Sequence, residues 1–216
     1  MKNVIIIPGL GIDKRKKRDF QKMIDYLSKY FNVYFFNWSS ESKFNEIINE
    51  LKDFIRRNNI NKPNFVTHSF GAIILRLFLN RFNTKKERIV QTAPINSGAK
   101  ILQKMSEYKL IKKTRIGSVV EDFLENKQEI FKMKFKGEIG IIAGTKRFHF
   151  FNPDSYLLPF FVNNKGSDSK VFLEETKLIN SRDFIKLNLA HRELVSSPEV
   201  FEQIKSFIIN GKFSRK

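Results

Sequence analysis

Along the chain, short runs of β-branched and aromatic residues alternate with longer segments whose apolar residues recur every three or four positions. The short runs fall at Val4–Ile7, Val33–Phe36, Asn64–Thr67, Ile89–Thr92, Ile139–Ala143 and Phe184–Leu189, each bounded by Gly, Pro, Asn or Ser, and the pattern predicts strands there. Between them, sets such as Phe44, Ile47, Ile48 and Leu51, or Ile73, Ile74, Leu77 and Phe78, place apolar side chains on one face of a helix. Phe20, Met23, Ile24 and Leu27 do the same earlier in the chain. Ser197-Pro198 supplies an N-cap and a first helical residue for a closing helix that carries Val200, Phe201, Ile204, Phe207 and Ile208. Strand following helix in this rhythm predicts an α/β protein, a three-layer α/β/α sandwich around a mostly parallel sheet of about six strands. No repeat, low-complexity linker or shift in composition divides residues 1–216, which predicts a single domain.

Two stretches break the rhythm. Residues 99–136 contain no strand pattern, and their apolar residues suggest two short helices on either side of Gly117, an insertion or partial lid placed to cover a site. Residues 146–170 carry Phe148, Phe150, Phe151, Phe160 and Phe161 among prolines and asparagines, too irregular for a long helix and too apolar for a solvated loop. Such a loop either packs into the core or lines an apolar pocket.

Chemistry concentrates first at Thr67-His68-Ser69-Phe70-Gly71, where a predicted strand runs directly into a predicted helix. A serine on a strand-to-helix turn has its hydroxyl forced out of the sheet, and the turn needs small residues two positions to either side. Gly71 meets that need, while Thr67 stands where G-x-S-x-G has its first glycine. The competing reading is an ordinary turn with a serine N-cap. A nucleophilic serine needs a base, and the base needs a carboxylate to hold its tautomer. Of the three histidines, His191 follows the last strand and so lies at the carboxyl edge of the sheet, His149 lies in the aromatic loop, and His68 is expected to point away from Ser69. Asp168, on the loop after the penultimate strand, can reach a histidine after the last one; Asp154 and Asp183 are weaker competitors. Phe70 N–H, just after the serine, and Leu10 N–H, in the Pro8-Gly9-Leu10-Gly11 turn, are the candidate donors to an oxyanion.

The order Ser69, Asp168, His191 resembles that of the α/β-hydrolase superfamily, specifically its small lipase- and esterase-like members without a large cap. The resemblance is carried by Val4-Ile5-Ile6-Ile7-Pro8-Gly9-Leu10-Gly11, by Thr67-His68-Ser69-Phe70-Gly71, by Thr92-Ala93-Pro94 with Gly98, by Asp168-Ser169-Lys170-Val171, and by the segment from Ala190-His191 to the closing helix. It implies cleavage of carboxylic esters, hydrophobic or lipid-like ones, by a serine, aspartate and histidine at those positions, with no cofactor and no metal. Pro8 replaces the family's usual histidine and removes one N–H, and Ser169 replaces a glycine. An acyltransferase on the same three residues, or a basic protein that binds anionic lipid or nucleic acid without turnover, are the competing functions.

Composition modifies this picture in two places. The absence of cysteine excludes a thiol nucleophile and a disulfide framework. Forty Lys and Arg against 22 Asp and Glu give a formal charge of +18, which makes polyanions the first partners to weigh. The joint excess of Lys, Asn, Ile and Phe is also what an AT-rich coding sequence would produce, and even the densest run, Lys14 to Arg18, is broken by Asp19. The charges therefore read as solvated faces, with peripheral contact to an anionic membrane as a secondary role and nucleic acid disfavoured. The apolar run after Asn3 stops at Pro8, too short for a secretory signal, so the sequence reading is a cytoplasmic protein acting on a small ester or lipid.

Overall fold

The computed structural model describes residues 1–11, 13–82, 84–107, 117–146 and 166–215. Six strands form one sheet: β1 (Asn3–Ile7), β2 (Asn32–Phe35), β3 (Asn64–His68), β4 (Arg88–Thr92), β5 (Glu138–Gly144) and β6 (Asp183–Leu187). Their order is β2-β1-β3-β4-β5-β6, and every neighbouring pair is parallel. All six carboxyl ends therefore lie along one edge, and all six amino ends along the other.

Helices cover both faces. On one side lie α3 (Phe44–Arg57), α4 (Gly71–Arg81), α5 (Lys100–Glu107) and α6 (Gly117–Lys132), over a core that includes Ile5, Ile7, Phe65, Ile89 and Ile141. On the other lie α1 (Asp13–Asp19), α2 (Gln21–Leu27) and the closing helix α8 (Pro198–Asn210), over Val4, Ile6, Val66, Val90 and Ile142. Alternate residues of each strand enter opposite cores, which is why the runs are apolar throughout. A one-turn helix α7 (Leu173–Thr176) precedes β6.

The last strand starts one residue earlier and ends two residues earlier than the hydrophobic run Phe184–Leu189 predicts. Asp183 opens it, its carboxylate accepting the N–H groups of Phe184 and Phe213, and the chain turns at Leu187, whose carbonyl accepts the N–H of Leu189. Among the described residues of 99–136 there are two helices, α5 and α6, of which α6 is longer than expected and is built into its layer: Val119, Val120, Phe123 and Ile130 are core residues. Its first turn reaches the carboxyl edge, where Ser118 Oγ donates to Glu41 O. Its last turn is held by the buried Arg76 of α4, whose guanidinium donates to Ile130 O, Asn96 O and Asn96 Oδ1 and faces the Phe131 and Phe135 rings. Carbonyl oxygens, the negative end of α6 and two aromatic faces stand in for a carboxylate. Burial lowers the Arg76 pKa to about 10, so the guanidinium stays protonated at neutral pH. Residues 108–116 and 147–165 lie outside the described residues, and with them His149, Asp154 and the aromatic set Phe148–Phe161.

Candidate active site

Ser69 follows β3 directly and precedes α4, with a φ of 52° in the left-handed region that non-glycine residues adopt only at a cost of order 1–3 kcal/mol. Two contacts over-determine this turn. Ser69 N–H donates to Thr92 O across the sheet, and Gly71 is so close to β1 that a Cβ there would lie 2.3 Å from Ile7 O. The glycine expected from the motif is thus required by backbone proximity. Thr67, in place of the first glycine, is fully buried with Oγ1 unpartnered.

Asp168 and His191 come together at the carboxyl edge. His191 Nδ1 donates to Asp168 Oδ2 at 2.8 Å, and the pairing is doubled by His191 N–H to Asp168 O at 2.8 Å. The other carboxylate oxygen, Oδ1, accepts the N–H groups of Lys170 and Val171. Asp168 is 1% exposed and His191 6%, so the carboxylate is fixed and out of water. With its proton on Nδ1, the imidazole leaves Nε2 free to accept another. Ser169, in the place of a family glycine, takes a φ of 84°.

His68, which the sequence reading expected to point away from Ser69, packs against His191. Its ring centroid lies 4.5 Å from that of His191, and Phe20 closes its other side at 5.9 Å. Thr92 Oγ1 donates to Thr67 O and so accepts from His68 Nδ1, which fixes the His68 tautomer. Burial, with the nearby His191 and Lys170, holds His68 well below the usual histidine pKa. A neutral ring therefore backs the His191 imidazole, and through it His191 is placed beside the residue preceding Ser69. The Ser69 hydroxyl is half-buried and, among the described residues, takes no hydrogen bond, His191 included.

The Pro8–Gly11 loop lies against the elbow: a Cβ on Gly9 would sit 2.9 Å from Ser69 Cβ and 3.5 Å from Phe70 N. Among the described residues neither Leu10 N–H nor Phe70 N–H is taken by a backbone acceptor. The loop's carbonyls are held from the far side. Trp38 Nε1 donates to Pro8 O, and Ser40 Oγ donates to Gly11 O. Lys16 Nζ, buried over the Trp38 ring at 4.0 Å, donates to Trp38 O and Ser40 Oγ. Sequence reasoning placed Lys16 in a solvated run and missed this brace; the single tryptophan, three residues past the end of β2, was the available signal. Beneath the elbow, Trp38, Phe44 and Phe123 pack around the Phe70 ring. Among the described residues no cluster of three or more His, Asp or Glu could hold a metal ion.

No family model matches the chain, and no curated protein matches it by sequence. Solved structures do match it. The Bacillus licheniformis lipase BlEst2 in mature form superposes with a TM-score of 0.69 at 12% identity, over 97% of this chain and 91% of the lipase. Against the propeptide form the TM-score is 0.71, also at 12% identity, over all of this chain and 52% of that one, so this chain spans about half its length. The enol-lactonase from Burkholderia xenovorans superposes with a TM-score of 0.58 at 12% identity, over 96% and 91% of the two chains. The parallel sheet, the left-handed serine between β3 and α4 and these superpositions agree: the chain has the α/β-hydrolase fold.

Proposed function

We propose that the protein is a serine hydrolase that cleaves carboxylic esters, with hydrophobic esters as its substrates. The observation that carries this reading is Ser69 in a left-handed elbow whose preceding residue, His68, packs on an imidazole with its Nδ1 proton held by the buried Asp168. On substrate binding, rotation of the Ser69 hydroxyl toward His191 Nε2 completes the proton path. His191 takes the proton, the serine oxygen attacks the ester carbonyl, and the Leu10 and Phe70 N–H groups receive the oxyanion. Collapse of this intermediate breaks the ester bond, His191 gives its proton to the leaving alcohol, and an acyl-enzyme remains. Water then attacks the acyl carbon, losing a proton to His191, and the acid and free Ser69 are released. Asp168 stabilises the imidazolium formed in each half-reaction. The likeness in fold to the lipase BlEst2 supports a preference for hydrophobic acyl groups.

The test is a fluorophosphonate probe with p-nitrophenyl esters of graded chain length. The wild-type protein is expected to be labelled and to turn over the esters. Ser69→Ala is expected to lose labelling and at least about 1,000-fold of kcat. Labelling that survives in that variant overturns the assignment.

A further inference from the structure

The basic residues scattered along the sequence are gathered by the fold. Lys62 precedes β3, Lys85 and Lys86 precede β4, Lys134 and Lys136 precede β5, and Lys177 lies on the loop before β6. Because these four strands are consecutive neighbours in the sheet, about 5 Å apart, the loops form one continuous cationic rim at its amino edge. The acids along this edge are already occupied: Glu87 by Lys2, Glu138 by Arg88 and Arg182, and Asp183 by Arg215. The six lysines have no acidic partner among the described residues. Burial, with the like charge of Lys136 added to it, lowers the Lys86 pKa.

Composition alone does not account for this arrangement. A coding bias would load all loops alike; apart from α1, which follows β1 and carries the Lys14–Arg18 run, the described loops at the carboxyl edge are nearly balanced, with Lys43, Lys146, Lys170 and Arg192 against Glu41, Asp168 and Glu193. The amino edge also presents apolar tips: Ile179 is fully exposed between Lys177 and Arg182, and Met1 is largely exposed beside Lys2. Apolar tips ringed by cations suit an interface where headgroups are anionic and acyl chains lie just beneath. A single-stranded nucleic acid would instead call for a groove lined with stacking aromatics.

We propose that the amino edge of the sheet docks on anionic bilayers, with Ile179 entering the headgroup layer and the Ser69 edge turned away from the lipid. The proposal stands on the fold and the charge map, whether or not Ser69 is a nucleophile. It further implies that a docked molecule meets its substrate from the aqueous side.

The experiment measures partitioning onto phosphatidylcholine vesicles with and without phosphatidylglycerol at low and high salt. The wild-type protein is expected to bind only the anionic vesicles and to be released by salt. Replacing Lys85, Lys86, Lys134 and Lys136 by Gln together should weaken partitioning at least about 100-fold, since each lysine near an anionic surface contributes. Replacing Lys17, Lys22, Lys43 and Lys52 by Gln removes the same charge elsewhere and should leave binding within about threefold. Thermal melts establish that both variants are folded. Since the chain has no cysteine, Ile179→Cys and Glu41→Cys each carry one environment-sensitive fluorophore, and only the first should shift on vesicles. Absence of wild-type binding, equal loss in the two lysine sets, a shift at Glu41→Cys instead, or tighter binding to a single-stranded oligonucleotide than to vesicles at the same salt each overturns the proposal.

Discussion

His68 shows how one residue couples stability to the candidate chemistry. Buried between Phe20 and His191, it is neutral in the folded protein, its pKa held well below the ordinary 6.5 by burial first and by His191 next. The unfolded chain therefore binds a proton at His68 more readily than the folded one. Stability is full above about pH 6.5 and is lost as pH falls from there through the lowered native value. In His68→Gln that loss should disappear, so the melting temperatures of wild type and variant converge between pH 7 and pH 5.5; parallel slopes would show that His68 does not carry the titration. The buried Glu175 works in the opposite sense, its raised pKa contributing stability that is lost as pH rises, and it cancels in the comparison. His68→Gln also removes the ring that backs His191, and kcat/KM for a p-nitrophenyl ester should fall roughly 10- to 100-fold, as misplacement of a catalytic base does.

At the level of elements, the candidate site is a meeting of loops whose positions are set by other loops. The turn after β1 would be free on one side if Trp38 and Ser40 did not hold its carbonyls, with Lys16 in turn tying Trp38 O to Ser40 Oγ. Trp38→Phe keeps an aromatic ring against Phe70 but leaves the buried Pro8 carbonyl without its donor, which costs about 1–3 kcal/mol. The expected result is a lower melting temperature with a fall in kcat of at least about tenfold and little change in KM, because an oxyanion donor acts on the transition state. A rise in KM alone would place Trp38 in substrate binding instead. This brace was hidden in the sequence for a definite reason: in Lys14 to Arg18 every residue is charged, and nothing in the pattern marks Lys16 as the one turned inward. The strands were legible because both faces of the sheet are covered, so each reads as an apolar run. The elbow was legible because its steric demands fall on adjacent residues, while the tilt of His68 onto His191 depends on strands β3 and β6, more than a hundred residues apart in the chain. Asp168 was accessible only through topology, since its own tetrapeptide also reads as a turn.

For the whole molecule, the charge counted on the sequence and the charge felt by the fold are different quantities. Evenly spread, +18 would repel weakly everywhere, and salt would relieve it by the same small amount at each site. With Lys62, Lys85, Lys86, Lys134, Lys136 and Lys177 along one edge, the repulsion is local and falls within a Debye length, so it is strong at low ionic strength and efficiently screened. The surface ion pairs pull the other way, but each contributes little and several of them are taken up by the same edge. Raising sodium chloride from about 20 mM to about 300 mM shortens the Debye length from roughly 20 Å to roughly 6 Å. The melting temperature is therefore expected to rise by several degrees over that range. If the repulsion is seated at the amino edge, replacing Lys85, Lys86, Lys134 and Lys136 by Gln should raise the low-salt melting temperature and remove most of the salt increment. The equal-charge set at Lys17, Lys22, Lys43 and Lys52 should preserve it. An increment that shrinks equally in both variants would mean that only the net charge matters, and that the fold does not concentrate it.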